Sequence, residues 1–289
     1  MIPQPFRRMA LPAAIAVASA AISFGAARAD VIHITSDVAA YGYDTAYLNA
    51  TALTFPGPYG STSGGVSSVD MESGADLISG TNQTANGSLF SAVVFCTQAD
   101  AYLVDPPYTF TQGTLSSTIA DPTRQAQIAA LIGNGTLLLQ SGAYAIGGTT
   151  YTATEVSSAL QIAVWTAEYQ TGSSNNGTGG YDAGSATTTG GASSNFWVSG
   201  LSNPGDVTLA NTFLDYVTGG TWGQIGTVVQ LLAQTPTPNQ SLSYYVAGTA
   251  PTGGTSDPVP EPATTLVFGV GLLGLLAVRR RGVCSKTNG

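Results

Sequence analysis

Lysine is missing from the long middle of this chain. The one lysine in 289 residues is Lys286, and between Asp30 and Asp257 the only arginine is Arg124, against fifteen acidic residues, a net charge of −14 over that stretch. Such a surface has nothing with which to displace counterions from phosphates, which excludes nucleic acid and anionic lipid as partners. Histidine occurs once, at His33, and cysteine twice, at Cys96 and Cys284. One Cys and one His do not make the four N/S ligands of a zinc site, and a Cys-His catalytic pair would have a single candidate base. His33 sits in an apolar alternation and reads as a half-buried strand residue. The chain is therefore read as a non-enzyme without a cofactor. Charged residues are only 8% of the composition while hydrophobic ones are 43%, too apolar for general disorder. With 36 glycines and abundant Ser and Thr, this suits an exported, β-rich surface domain.

The two ends are different in kind. Arg7 and Arg8 precede an apolar run to Ala26, and Ala27-Arg28-Ala29 supplies small residues around a cleavage point. This is the three-part pattern of a secretory signal peptide over 1–29, with the mature chain beginning at Asp30. At the other end, residues 263–278 carry no charge. As a helix they would span about 24 Å against a hydrocarbon core of roughly 30 Å, enough for one short transmembrane helix if the bilayer thins. Arg279, Arg280 and Arg281 follow and hold the extreme C-terminus in the cytoplasm. Gly269, Gly271 and Gly274 spell a dinucleotide fingerprint by letters alone, but no strand precedes them, so they are read as close helix packing.

Pro260-Glu261-Pro262, the apolar span and the arginine cluster together resemble the PEP-CTERM sorting signal of exported proteins in Gram-negative bacteria. The resemblance implies an exosortase as processing partner and transient anchoring in the inner membrane through the C-terminal helix. It also implies a final place at the cell surface or in the extracellular matrix, with exopolysaccharide and biofilm as the associated setting. The organisation that follows is 1–29 signal peptide, 30–248 exported domain, 249–258 linker and 259–289 sorting segment.

Within the exported part the expected class is α+β, β-rich, with about three helices. Strands are predicted at 31–34, 89–97, 102–104, 136–139, 227–232 and 243–246. Asp121 and Pro122 open a first helix expected to end at Gly133. Thr152 and Glu155 form a capping box for a second, from Val156 to about Gln170. Asp206 is expected to cap a third, over 207–218, with Gly219 after it. Residues 173–194 are a Gly/Ser/Thr/Asn loop.

Cys96 has nothing to pair with, because Cys284 lies beyond the arginine cluster on the far side of the membrane. Four readings stay open: an inert buried thiol, an intermolecular disulfide, a nucleophile, or a thiol consumed by an internal bond. Phe95-Cys96, with Leu160-Gln161-Ile162-Ala163-Val164-Trp165 on the capped second helix, resembles the paired motifs of bacterial thioester domains. The residue before the glutamine is Leu160, where many members have threonine. The resemblance implies a Cys96-Gln161 thioester, shielded by Phe95, Leu160, Val164 and Trp165, that acylates an amine on a partner. A lysine-free surface would spare such an electrophile from reacting with itself. The alternative is a non-reactive structural or carbohydrate-associated matrix protein, with Tyr41, Tyr43 and Tyr47 as stacking surfaces. A hydrolase using Glu155 and Glu168 ranks third, since Glu155 is explained as a cap.

Overall fold

The computed structural model describes residues 29–247, apart from 52, 56–59, 100, 102, 104, 105, 171–180, 185–194 and 234–239. The signal peptide, linker, apolar span and sorting motif thus lie outside the described residues. Among those described, the first seven strands are β1 (Val31–Val38), β2 (Asp44–Ala50), β3 (Ser61–Ser63), β4 (Val66–Ser73), β5 (Asp76–Asn82), β6 (Ser88–Cys96) and β7 (Tyr108–Gly113). A long helix α1 (Pro122–Ser141) follows, then a two-stranded hairpin of β8 (Ala145–Ile146) and β9 (Thr149–Thr150). Helix α2 (Ala153–Tyr169), β10 (Phe196–Ser199), α3 (Gly205–Thr218), β11 (Thr227–Ala233) and β12 (Leu242–Val246) complete the set.

Six strands close a barrel in the order β1-β5-β6-β12-β11-β7, and β10-β2-β4-β3 form a separate sheet. Register decides which side chains line the barrel, because directly opposed residues share a face. Ile32 lies opposite Phe110, Ile34 opposite Tyr108, Ile78 opposite Ala92, Val94 opposite Tyr244, and Leu242 opposite both Leu231 and Cys96. These residues face inward, whereas the opposite face of β5 and β6 carries the 93% exposed Leu89. Where α1 and α2 lie on the barrel, that outer face is buried too: Phe95 and Gln230 are both at 0% exposure. Helix α2 is the centre of the molecule, touching β6 on one side, β2, β4 and β10 on another, and both other helices.

The capping box of α2 forms as expected, with Thr152 Oγ1 accepting from Glu155 N–H and Glu155 Oε2 accepting from Thr152 N–H at 2.7 Å. Three expectations are corrected. Helix α1 does not end at Gly133; it runs to Ser141, so the strand expected at 136–139 is helical. A Cβ at Gly133 would come 3.0 Å from Ile225 Cγ1 and one at Gly135 would come 2.8 Å from Leu160 Cδ2. Those glycines permit close packing, and the stop is Gly142, in the left-handed region at φ 66°. Asp206 is not the cap of α3: Pro204 holds that position and Asp206 lies in the first turn, fully buried. Leu103 is not in a strand, and the next strand begins at Tyr108, beyond Pro106-Pro107.

Candidate functional site

Strand β6 outruns its neighbour. On one side it pairs with β12 as far as Cys96, opposite Leu242, but on the other β5 begins at Asp76, opposite Val94. The last backbone groups of β6 would face an empty ladder position there, an arrangement that buried polar groups do not tolerate. Gln161 fills it. Cys96 N–H donates to Gln161 Oε1 at 2.9 Å and Gln161 Nε2 donates to Cys96 O at 2.8 Å, with Gln161 at 0% exposure.

Helix α2 is held in register for this contact from both sides. One turn before Gln161, Ser157 Oγ accepts from Ala75 N–H at 2.8 Å, and Ser158 Oγ lies 2.7 Å from Ser73 Oγ. Two turns after it, Tyr169 OH accepts from Ala99 N–H at 3.0 Å, just past the end of β6. Residues 157, 161, 165 and 168 recur at helical spacing on one face. Cys96 and Gln161 therefore meet, and Phe95, Leu160, Val164 and Trp165 belong to the same continuous core. Phe95, Leu160, Val164 and Trp165 are all at 0% exposure and Cys96, a free thiol, at 8%.

Its electrostatics are those of a neutral thiol. Burial pushes the Cys96 thiol well above its ordinary value, and the negative charges of Asp76, Asp37 and Glu168 push it further. Arg124 does not offset them. Its guanidinium donates to the Glu168 carbonyl and, at 2.9 Å, to the Gln170 carbonyl, so this half-buried side chain caps the C-terminus of α2. His33 is half-buried on β1 and its Nδ1 lies 3.2 Å from Thr109 Oγ1. Glu155 is a half-buried cap and Glu168 lies thirteen residues on, at the far end of α2, so the two do not form a carboxylate pair.

The sequence reading missed three neighbours of the thiol: Asp37, Asp76 and Tyr108. Register turns all three toward the barrel interior, Asp37 opposite Ile78, Asp76 opposite Val94 and Tyr108 opposite Ile34. Tyr108 OH donates to Asp37 Oδ2 at 2.9 Å. Burial, then the charges of Asp37 and Glu72, raise Asp76 to about 7. Burial first and Asp37 second raise Tyr108 above the ordinary tyrosine value. The signal available in the sequence was an aspartate heading Asp76-Leu77-Ile78, a short apolar run.

A buried carboxyl, Asp206, lies away from the thiol. It is raised to about 7 by burial, partly opposed by the Ser158 hydroxyl and reinforced by Asp44 and Glu155. Among the described residues no group of three or more His, Cys, Asp or Glu is arranged to hold a metal, and no helix is long and apolar enough to cross a membrane.

Residues 258–281 match the model of the PEP-CTERM protein-sorting motif, which contains Pro260, Glu261 and Pro262 and ends on Arg281. The match implies an exosortase as processing partner and an exported protein transiently anchored in the membrane. No curated protein and no solved structure matches the chain significantly.

Proposed function

We infer that this exosortase substrate is a single-use covalent binder, in which Cys96 and Gln161 condense to an internal thioester that then acylates an amine on a surface or matrix partner. The observation that carries the reading is the two-point seating of the Gln161 carboxamide on the backbone of Cys96. Because both of its polar atoms pair with in-plane backbone groups of β6, the amide lies along the sheet edge. The Cys96 thiol belongs to the very residue on which that amide is seated, which keeps the two reacting groups together. Effective concentration then stands in for chemical activation of a poor electrophile. Cys96 N–H, already on Oε1, is placed to stabilise the oxyanion that develops there.

The condensation is redox-neutral. The Sγ–Cδ bond forms, the Cδ–Nε2 bond breaks, and the thiol proton leaves with the nitrogen as ammonia. In capture, the partner's amine bonds to Cδ, Sγ departs, and a proton from the amine restores the thiol. Full burial of Phe95, Leu160, Val164 and Trp165 supports a water-excluded bond. The test is incubation with methylamine followed by intact mass. Wild type gains one adduct at Gln161, and Cys96→Ala and Gln161→Ala gain none; adducts at Gln161 in Cys96→Ala would defeat the reading.

A second reading, noncovalent binding to exopolysaccharide, is favoured by the outer face of the β10-β2-β4-β3 sheet. Tyr47, 44% exposed, lies there opposite Asp70 and Ser199, with Trp197 opposite Asn49. Retention on immobilised polysaccharide that survives Cys96→Ala and is lost in Tyr47→Ala would support it.

A further inference from the structure

We propose that Asp76 carries the proton in the chemistry of Cys96 and Gln161, taking it from the thiol and delivering it to the departing amide nitrogen. This rests on the thioester reading above. A thiol held neutral by burial and by surrounding negative charge needs a base at the moment of attack. The one imidazole is not that base, since His33 and Thr109 lie opposite one another on the barrel's outer face. The arginine is engaged at the end of α2.

Asp76 is in place. It opens β5 directly opposite Val94, so its side chain shares the inner face with Val94 and Cys96 and stands diagonal to the cysteine. Diagonal neighbours are roughly 7–8 Å apart, a gap that a carboxyl arm and one water bridge. Gln161 occupies the ladder position just beyond Asp76, so carboxyl, thiol and carboxamide converge at one corner of the barrel. The ionisable groups facing this corner are Asp37 from β1, Glu72 from β4, Tyr108 from β7 and Glu168 from α2. None is a cation.

Tyr108 OH donates to Asp37, and negative charge on Asp37 makes a second negative charge on Asp76 costly. A carboxyl balanced near neutrality both accepts and returns a proton without a large penalty in either direction. In the forward step the Sγ–H proton passes to the Asp76 carboxylate as Sγ–Cδ forms. The resulting acid protonates Nε2 as Cδ–Nε2 breaks, and ammonia leaves with Asp76 ionised again. In capture, the same carboxylate takes the proton of the incoming amine and returns it to Sγ.

The experiment refolds the full-length protein from denaturant and follows loss of one ammonia by mass over pH values from about 5 to 9. The wild-type rate rises through an inflection near neutral pH. Asp76→Asn slows formation by roughly 10²-fold and abolishes the inflection. Asp37→Asn still forms the bond, but with its inflection at lower pH because the like charge is gone. Asp76→Asn reacting at the wild-type rate with the same profile overturns the proposal and leaves the thioester standing. Should Asp76→Asn not fold, an unmoved inflection in Asp37→Asn overturns it as well. Wild type that never loses ammonia overturns the thioester reading, and this proposal with it.

Discussion

Helix α2 carries two buried glutamines that perform the same structural task at different neighbours. Gln161 pairs with both backbone groups of Cys96. Gln170, the C-cap residue, accepts from Asp182 N–H at 2.9 Å and donates to the carbonyls of Asp182 at 2.6 Å and Phe196 at 2.9 Å. Each carboxamide pairs with backbone groups that would otherwise lack partners, and each is fully buried. The pairing is thus a scaffolding device of this fold, and what distinguishes Gln161 is what adjoins it: a thiol. At Gln170 the partners are an aspartate and a phenylalanine.

The largest expected effect separates the two sites outright. Amine capture falls from one per chain to none in Gln161→Ala, and Gln170→Ala retains it in every molecule that folds; mass spectrometry after methylamine treatment reads both. Equilibrium denaturation should show far less contrast. Each alanine leaves buried backbone groups without partners, at roughly 1–3 kcal/mol per group, so both variants lose stability and only one loses capture.

Next in size is a contrast between two carboxyls, half-buried Asp76 beside the thiol and buried Asp206 away from it, each raised to about 7. Their folded values lie above the unfolded carboxylate value, so the folded chain holds these protons more tightly. Stability is fully present below about pH 4, falls as pH rises through about 7, and is level above that. Asp206→Asn should flatten its share of this slope, on the order of 2 kcal/mol, without changing capture, as urea titrations at several pH values would show. The smallest effect is at the helix start, where Thr152→Ala costs about 1 kcal/mol by removing the cap of α2 and leaves the Cys96-Gln161 contact in place.

The parts of this fold written in local signals were legible. Thr152 and Glu155 announce α2, and the apolar run ending in Phe95-Cys96 announces β6. Gly133 and Gly135 misled because a glycine's local meaning is helix termination, while here it is the room that Ile225 and Leu160 need. That need appears only once the chain has folded back. Strands β3 to β5 are built largely of Ser, Thr, Gly and Asp, and their buried positions include Ser67 and Ser73, so hydrophobic alternation is faint. The pairing of Cys96 with Gln161 crosses 65 residues and was suggested by motif resemblance. The ionisable surroundings of the thiol were not legible at all, because Asp37, Asp76 and Tyr108 converge only through the register of three strands.

The central claim is that the Cys96 thiol and the Gln161 carboxamide become one bond. The intact mass of never-heated, never-reduced protein tests it most directly, before any amine is added. A mass short by one ammonia in wild type, and complete in Cys96→Ala and Gln161→Ala, is the result expected. A complete mass in fresh wild-type protein, with a thiol that reacts with alkylating reagent once the chain is unfolded, would contradict it and leave Gln161 as scaffolding of the same kind as Gln170.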